Sequence, residues 1–93
     1  MKKHLDIKIF GKVQGVFFRV SAKEEAEKLG IVGFTRNEAD GSVYIEAEGD
    51  IKSLNKFLEW CKSGPDAAKV KKLIVTEGLI KNFSDFSRDF LDY

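Results

Sequence analysis

Across the nine residues Gly11-Lys12-Val13-Gln14-Gly15-Val16-Phe17-Phe18-Arg19 the hydrophobic period of the chain switches from that of a strand to that of a helix. Before them Leu5, Ile7 and Ile9 alternate with Asp6 and Lys8, as in a strand with one buried face. After them Phe18, Ala22, Ala26 and Leu29 recur at helical spacing, with Lys23, Glu24, Glu27 and Lys28 on the other side and Gly30 as the stop. The spacing predicts a helix over about residues 18–29, with Glu24 and Lys28 as an i,i+4 pair. A strand that turns through glycine into a helix leaves the first helical N–H groups without backbone partners. Such an end readily takes an anion.

The same two periods recur further on. A second strand is expected over residues 31–38, with Gly33 as a weak spot or a place of close backbone approach. Ala39-Asp40-Gly41-Ser42 carries the Asp-Gly hairpin signal. In the third strand Val43, Ile45 and Ala47 alternate with Tyr44, Glu46 and Glu48, and Gly49 is expected to end it. Asp50 is placed to cap a second helix with Ile51, Leu54, Phe57, Leu58 and Cys61 on its apolar stripe, and Gly64-Pro65 stops it. Val70 and Leu73-Ile74-Val75 mark a fourth strand over residues 69–77. The segment from Phe83 to Tyr93 reads as a last short strand or an aromatic flap. The order β-α-β-β-α-β plus a short extra strand is an α+β, ferredoxin-like split βαβ fold. An antiparallel sheet is expected to carry both helices on one face.

Composition narrows the function more than the fold. The 93 residues make one domain spanning residues 1–93, large enough to close its own core as a monomer. Sixteen basic and fifteen acidic side chains leave a net charge of +1, against a sequence-independent nucleic-acid binder. The single cysteine, Cys61, excludes an internal disulfide and fits a reducing compartment. Asp6 and Lys8 interrupt any apolar run behind Met1-Lys2-Lys3, so no signal peptide or membrane anchor is expected and the assignment is cytoplasmic.

Few side chains are suited to chemistry. His4, the one histidine, reads as a solvated strand residue, Cys61 as a buried inert thiol, and the carboxylates as solubilising surface charge. No cysteine–histidine spacing suits zinc, and no Ser-His-Asp set assembles. Arg19 stands apart. A cation in the first turn of a helix opposes the macrodipole by about 0.3–1 kcal/mol, a conflict that a bound anion removes. Its guanidinium is a planar fork suited to a phosphate-like oxyanion. Asn37 sits late in a strand, where asparagine is disfavoured. It serves either the Asp40-Gly41 turn or, as a carboxamide that donates and accepts, a water molecule held in one orientation.

Gly11 through Arg19 resembles the first motif of the acylphosphatase family, Gly-x-Val-Gln-Gly-Val-x-Phe-Arg, without a gap. Gly33, Phe34, Asn37, Gly41, Val43 and Gly49 fall on the spacing of its second motif, and the likeness continues through Gly64-Pro65 and Ala68-x-Val70. Thr35 departs from the family's small apolar residue, and the segment from Phe86 to Tyr93 departs from a simple alternating strand. The resemblance implies hydrolysis of acyl phosphates to a carboxylate and inorganic phosphate, with no metal or organic cofactor. It implies that the N–H groups of Gly15, Val16, Phe17, Phe18 and Arg19 cradle the phosphate, that Arg19 clamps it, and that Asn37 positions water. Gln14 is assigned to loop structure. Phosphate or sulfate is the expected competitive ligand, with no nucleic-acid or membrane partner.

Three other readings share the fold. A non-catalytic module would bind phosphate without turnover. An RNA-binding domain of the RRM type would carry its aromatic motif on the third strand, where this chain has Glu46 and Glu48. A domain at the front of a larger carbamoyl-transfer protein is set aside here for a stand-alone enzyme.

Overall fold

The computed structural model describes residues 1–88. Its elements are β1 (Lys2–Lys12), α1 (Phe18–Lys28), β2 (Val32–Asn37), β3 (Val43–Asp50), α2 (Ile51–Ser63), β4 (Lys69–Gly78) and β5 (Phe86–Arg88). The strands form one sheet in the order β4-β1-β3-β2-β5. Leu5, Ile7 and Ile9 of β1 and Val43, Ile45 and Ala47 of β3 lie in one core with Phe18, Ala22 and Ala26 of α1 and Leu54, Phe57 and Cys61 of α2. Alternation along the strands therefore puts both helices on one face. Burying a side chain such as Phe57 contributes about 1.5–3 kcal/mol. This is the ferredoxin-like α+β fold.

Several boundaries follow the residue chemistry. Asp50 caps α2 by accepting the Lys52 N–H at 3.1 Å. The Gly64 N–H closes that helix on the Trp60 carbonyl. Gly33 marks a close approach, since a Cβ there would lie 1.8 Å from the Glu46 carbonyl oxygen at a φ of +145°. The hairpin after Asn37 is held by the Asp40 carboxylate, which accepts from the Ser42 hydroxyl and N–H.

Other expectations are corrected. The sheet is mixed rather than antiparallel, because β5 pairs parallel to β2, Gly33 beside Phe86 and Thr35 beside Arg88. β4 ends beside His4, at the end of the sheet where β1 and β2 begin, so the chain re-enters at the far edge running their way. β3 continues through Gly49 to Asp50. Ile51 is half-exposed at the start of α2. On α1, Lys28 reaches Glu25 instead of Glu24, and Lys23 pairs with Glu27. The expected terminal strand or flap resolves into both, a Phe83 flap and β5; residues 89–93 lie outside the described part.

The largest correction is on the outer face of the sheet. His4 is 1% exposed, and Glu48 fully buried, neither of them solvated. The antiparallel register sets His4 opposite Glu48 and Asp6 opposite Glu46, and residues 79–85 cross over them. His4 Nδ1 lies 2.7 Å from a Glu48 oxygen and Nε2 2.8 Å from an Asp6 oxygen. A ring with both nitrogens on carboxylates can donate from both only as an imidazolium, so this arrangement favours the protonated form. Burial alone would lower its pKa, but the hydrogen bonds to Glu48 and Asp6 and the charges of Asp6 and Glu46 outweigh that and raise it. Burial likewise opposes the charge on Glu48, yet the Lys81 and Phe83 N–H groups and His4 hold its carboxyl below the usual range. Alternation tells which face a residue takes, not what later covers that face.

Candidate active site

The loop between β1 and α1 is pinned from both sides. Val13 and Val16 are buried in the core. Gln14 Nε2 donates to the carbonyls of Glu38 at 2.8 Å and Ser42 at 2.9 Å, tying the loop to the base of the β2–β3 hairpin, as its structural assignment requires. Gly15 turns at a φ of +72° with open space around it, and Phe17 takes the left-handed region at +62°. For phenylalanine that conformation costs about 1–2 kcal/mol. It leaves the Phe17 ring exposed while Phe18 packs in the core against Trp60, ring centroids 5.3 Å apart.

Gly15, Phe17, Phe18 and Arg19 line a cavity of about 300 Å³ together with Asn37 from the end of β2 and Arg88 from β5. Val13 and Val20 add an apolar wall. The start of α1 has no side-chain cap and no acidic residue in its first turn, so its positive end is not neutralised from within the helix. Of the residues expected at the site, Arg19 and Asn37 share the cavity although 18 positions apart in sequence, and Val16 turns its side chain into the core. Arg88 was not anticipated, because its place depends on the parallel pairing of β5.

Other candidates do not join this cavity. Cys61 is a buried thiol whose pKa burial pushes up, with a smaller effect from Glu25. Thr35, the departure from the family pattern, is fully buried on β2, and its hydroxyl has no hydrogen-bond partner among the described residues. Among the described residues, His4, Asp6 and Glu46 bring potential metal-ligand atoms within 4.8 Å of one another. The imidazolium and the Lys81 ammonium, 2.8 Å from Glu46, already supply the positive charge there.

Comparison with known proteins agrees with this geometry. The acylphosphatase family model matches residues 5–88. An acylphosphatase of Nocardioides sp. is 40% identical over 86 residues, covering 92% of this chain and 87% of its own. The crystal structure of the Bacillus subtilis acylphosphatase superposes with a TM-score of 0.92 at 36% identity, over 97% of this chain and all of that one. Full-length HypF, in its phosphate- and nucleotide-bound form, matches 96% of this chain with 12% of its own length, at 31% identity and a TM-score of 0.90. No helix among the described residues is long and apolar enough to cross a membrane. The chain belongs to the acylphosphatase family, and its activity is the hydrolysis of acyl phosphates.

Proposed function

We propose that the phosphoryl group of the substrate sits in the loop of residues 15–19. Its oxygens take the backbone N–H groups of Gly15, Val16, Phe17, Phe18 and Arg19, and the Arg19 guanidinium clamps it. Asn37 holds the attacking water. The observation that carries this reading is the meeting of the loop, Arg19 and Asn37 at one cavity.

Chemistry follows from the substrate as much as from the protein. Water oxygen forms a bond to phosphorus while the bond from phosphorus to the acyl oxygen breaks, and the carboxylate leaves with the electron pair. A carboxylate is a good leaving group, so no strong general acid is needed at the departing oxygen. The proton of the water passes to a phosphoryl oxygen, which makes a histidine base unnecessary. Phosphoryl transfer rests on positioning and electrostatic stabilisation, which fixed N–H dipoles and a guanidinium supply. The domain is proposed to act as a monomer, with inorganic phosphate as product and competitive ligand.

The test is the ultraviolet decay of benzoyl phosphate, with and without EDTA. Wild-type decay is expected to survive chelation. Arg19→Ala and Asn37→Ala are each expected to lose at least ~10²–10³ in turnover, the usual cost of an oxyanion donor. Near wild-type turnover in either variant would remove that residue from the mechanism.

A further inference from the structure

The cavity holds one guanidinium more than this mechanism uses. Arg88 lies on β5 two residues after the buried Phe86 and beside Thr35 of β2, and it lines the cavity together with Arg19 and Asn37. A transferring phosphoryl group has three oxygens besides those that attack and leave. The loop N–H groups and the Arg19 fork, with its five donors, already outnumber them. Those donors all belong to one stretch of chain, whereas Arg88 arrives from the sheet edge. At about 300 Å³ the cavity stands at the lower end of small-molecule sites, with room for an acyl chain beyond the phosphate. Val20, 37% exposed, supplies apolar surface for the methylenes of such a chain.

Resting on the reading of residues 15–19 as the phosphoryl site, we propose that Arg88 binds a carboxylate at the far end of the acyl chain. Arg88 is then a specificity residue, and the preferred substrates are acyl phosphates derived from dicarboxylic acids. A guanidinium and a carboxylate meet as two parallel N–H···O bonds, a geometry that a neutral acyl end cannot reproduce.

The experiment compares kcat/KM for succinyl phosphate, which has a distal carboxylate, with that for butyryl phosphate, its neutral counterpart of equal length. The wild type is expected to favour succinyl phosphate by about tenfold, a charge-assisted hydrogen bond discounted for partial exposure. In Arg88→Gln the ratio falls to near one, chiefly through the KM of succinyl phosphate, and Arg88→Lys keeps part of the preference. A ratio taken on one sample does not depend on the fraction folded. A wild-type ratio of one or less, or an Arg88→Gln ratio equal to the wild type's, would overturn the assignment while leaving the phosphoryl site intact. Failure of the wild type to hydrolyse either compound would instead overturn the reading of residues 15–19, and this inference with it.

Discussion

Thr35 is isosteric with valine, yet it buries a hydroxyl on β2 without a hydrogen-bond partner among the described residues. Removing such a group and keeping its shape avoids the desolvation penalty. Thr35→Val is expected to stabilise the fold by about 1 kcal/mol, raising Tm by roughly 4–8 °C in a thermal melt. A lowered Tm would mean that the hydroxyl is satisfied in solution. Arg19 and Asn37, which line one cavity, stand out in the sequence because each sits against its local preference, a cation at a helix start and an asparagine in a strand. Arg88 was not, since nothing between Phe86 and Tyr93 fixes a register, and its neighbour Thr35 lies 53 positions earlier. His4 was misread for a similar reason: its buried partner Glu48 comes from another strand and its cover, Phe83, from far along the chain.

The segment over the outer face is the element whose hold depends on pH. Residues 79–85 are bound by Lys81 and Phe83 N–H bonds to Glu48, by Lys81 to Glu46, and by Phe83 stacked on His4 and edge-on to Phe34. Asp6, Glu46, Glu48, Tyr44 and Lys81 are the charged and titratable groups around the imidazolium. Because the folded pKa of His4 is raised, its contribution is complete below 6.5 and is lost as pH rises through the folded value. Because that of Glu48 is lowered, its contribution is complete above 4.5 and is lost as pH falls through the folded value. Stability from this network is therefore greatest between 4.5 and 6.5. His4→Gln should cost about 3 kcal/mol at pH 6, as breaking a buried ion pair does, and flatten the alkaline limb of Tm against pH. A variant that keeps the wild-type limb would assign it to another group. At Gly33 the sheet has no room to adjust, and Gly33→Ala should cost more than about 3 kcal/mol in denaturant unfolding, because its Cβ meets backbone.

For the whole molecule, the proposed phosphate site links ligand binding to folding. Phosphate at ten times its Kd should stabilise the native state by about 1.4 kcal/mol, a Tm rise of roughly 6–10 °C. Arg19→Ala should lose most of that rise, and an undiminished rise in the variant would place phosphate elsewhere. The order of helices and strands was legible because each element has a clean period and a chemical stop, such as Asp50 before α2 and Gly64-Pro65 after it. The direction of β5 was not, because it follows from a crossing of the sheet rather than from any local pattern. The order of the sheet has a further bearing on birth at the ribosome. β1 emerges first, yet its two neighbours are β3 and β4, whose residues pair with it as far along as Gly78. Until that stretch has left the ribosome, Leu5, Ile7 and Ile9 have no completed sheet to enter, so the loop that β1 carries into α1 is made early and meets the rest of its cavity only after β4 and β5 have followed.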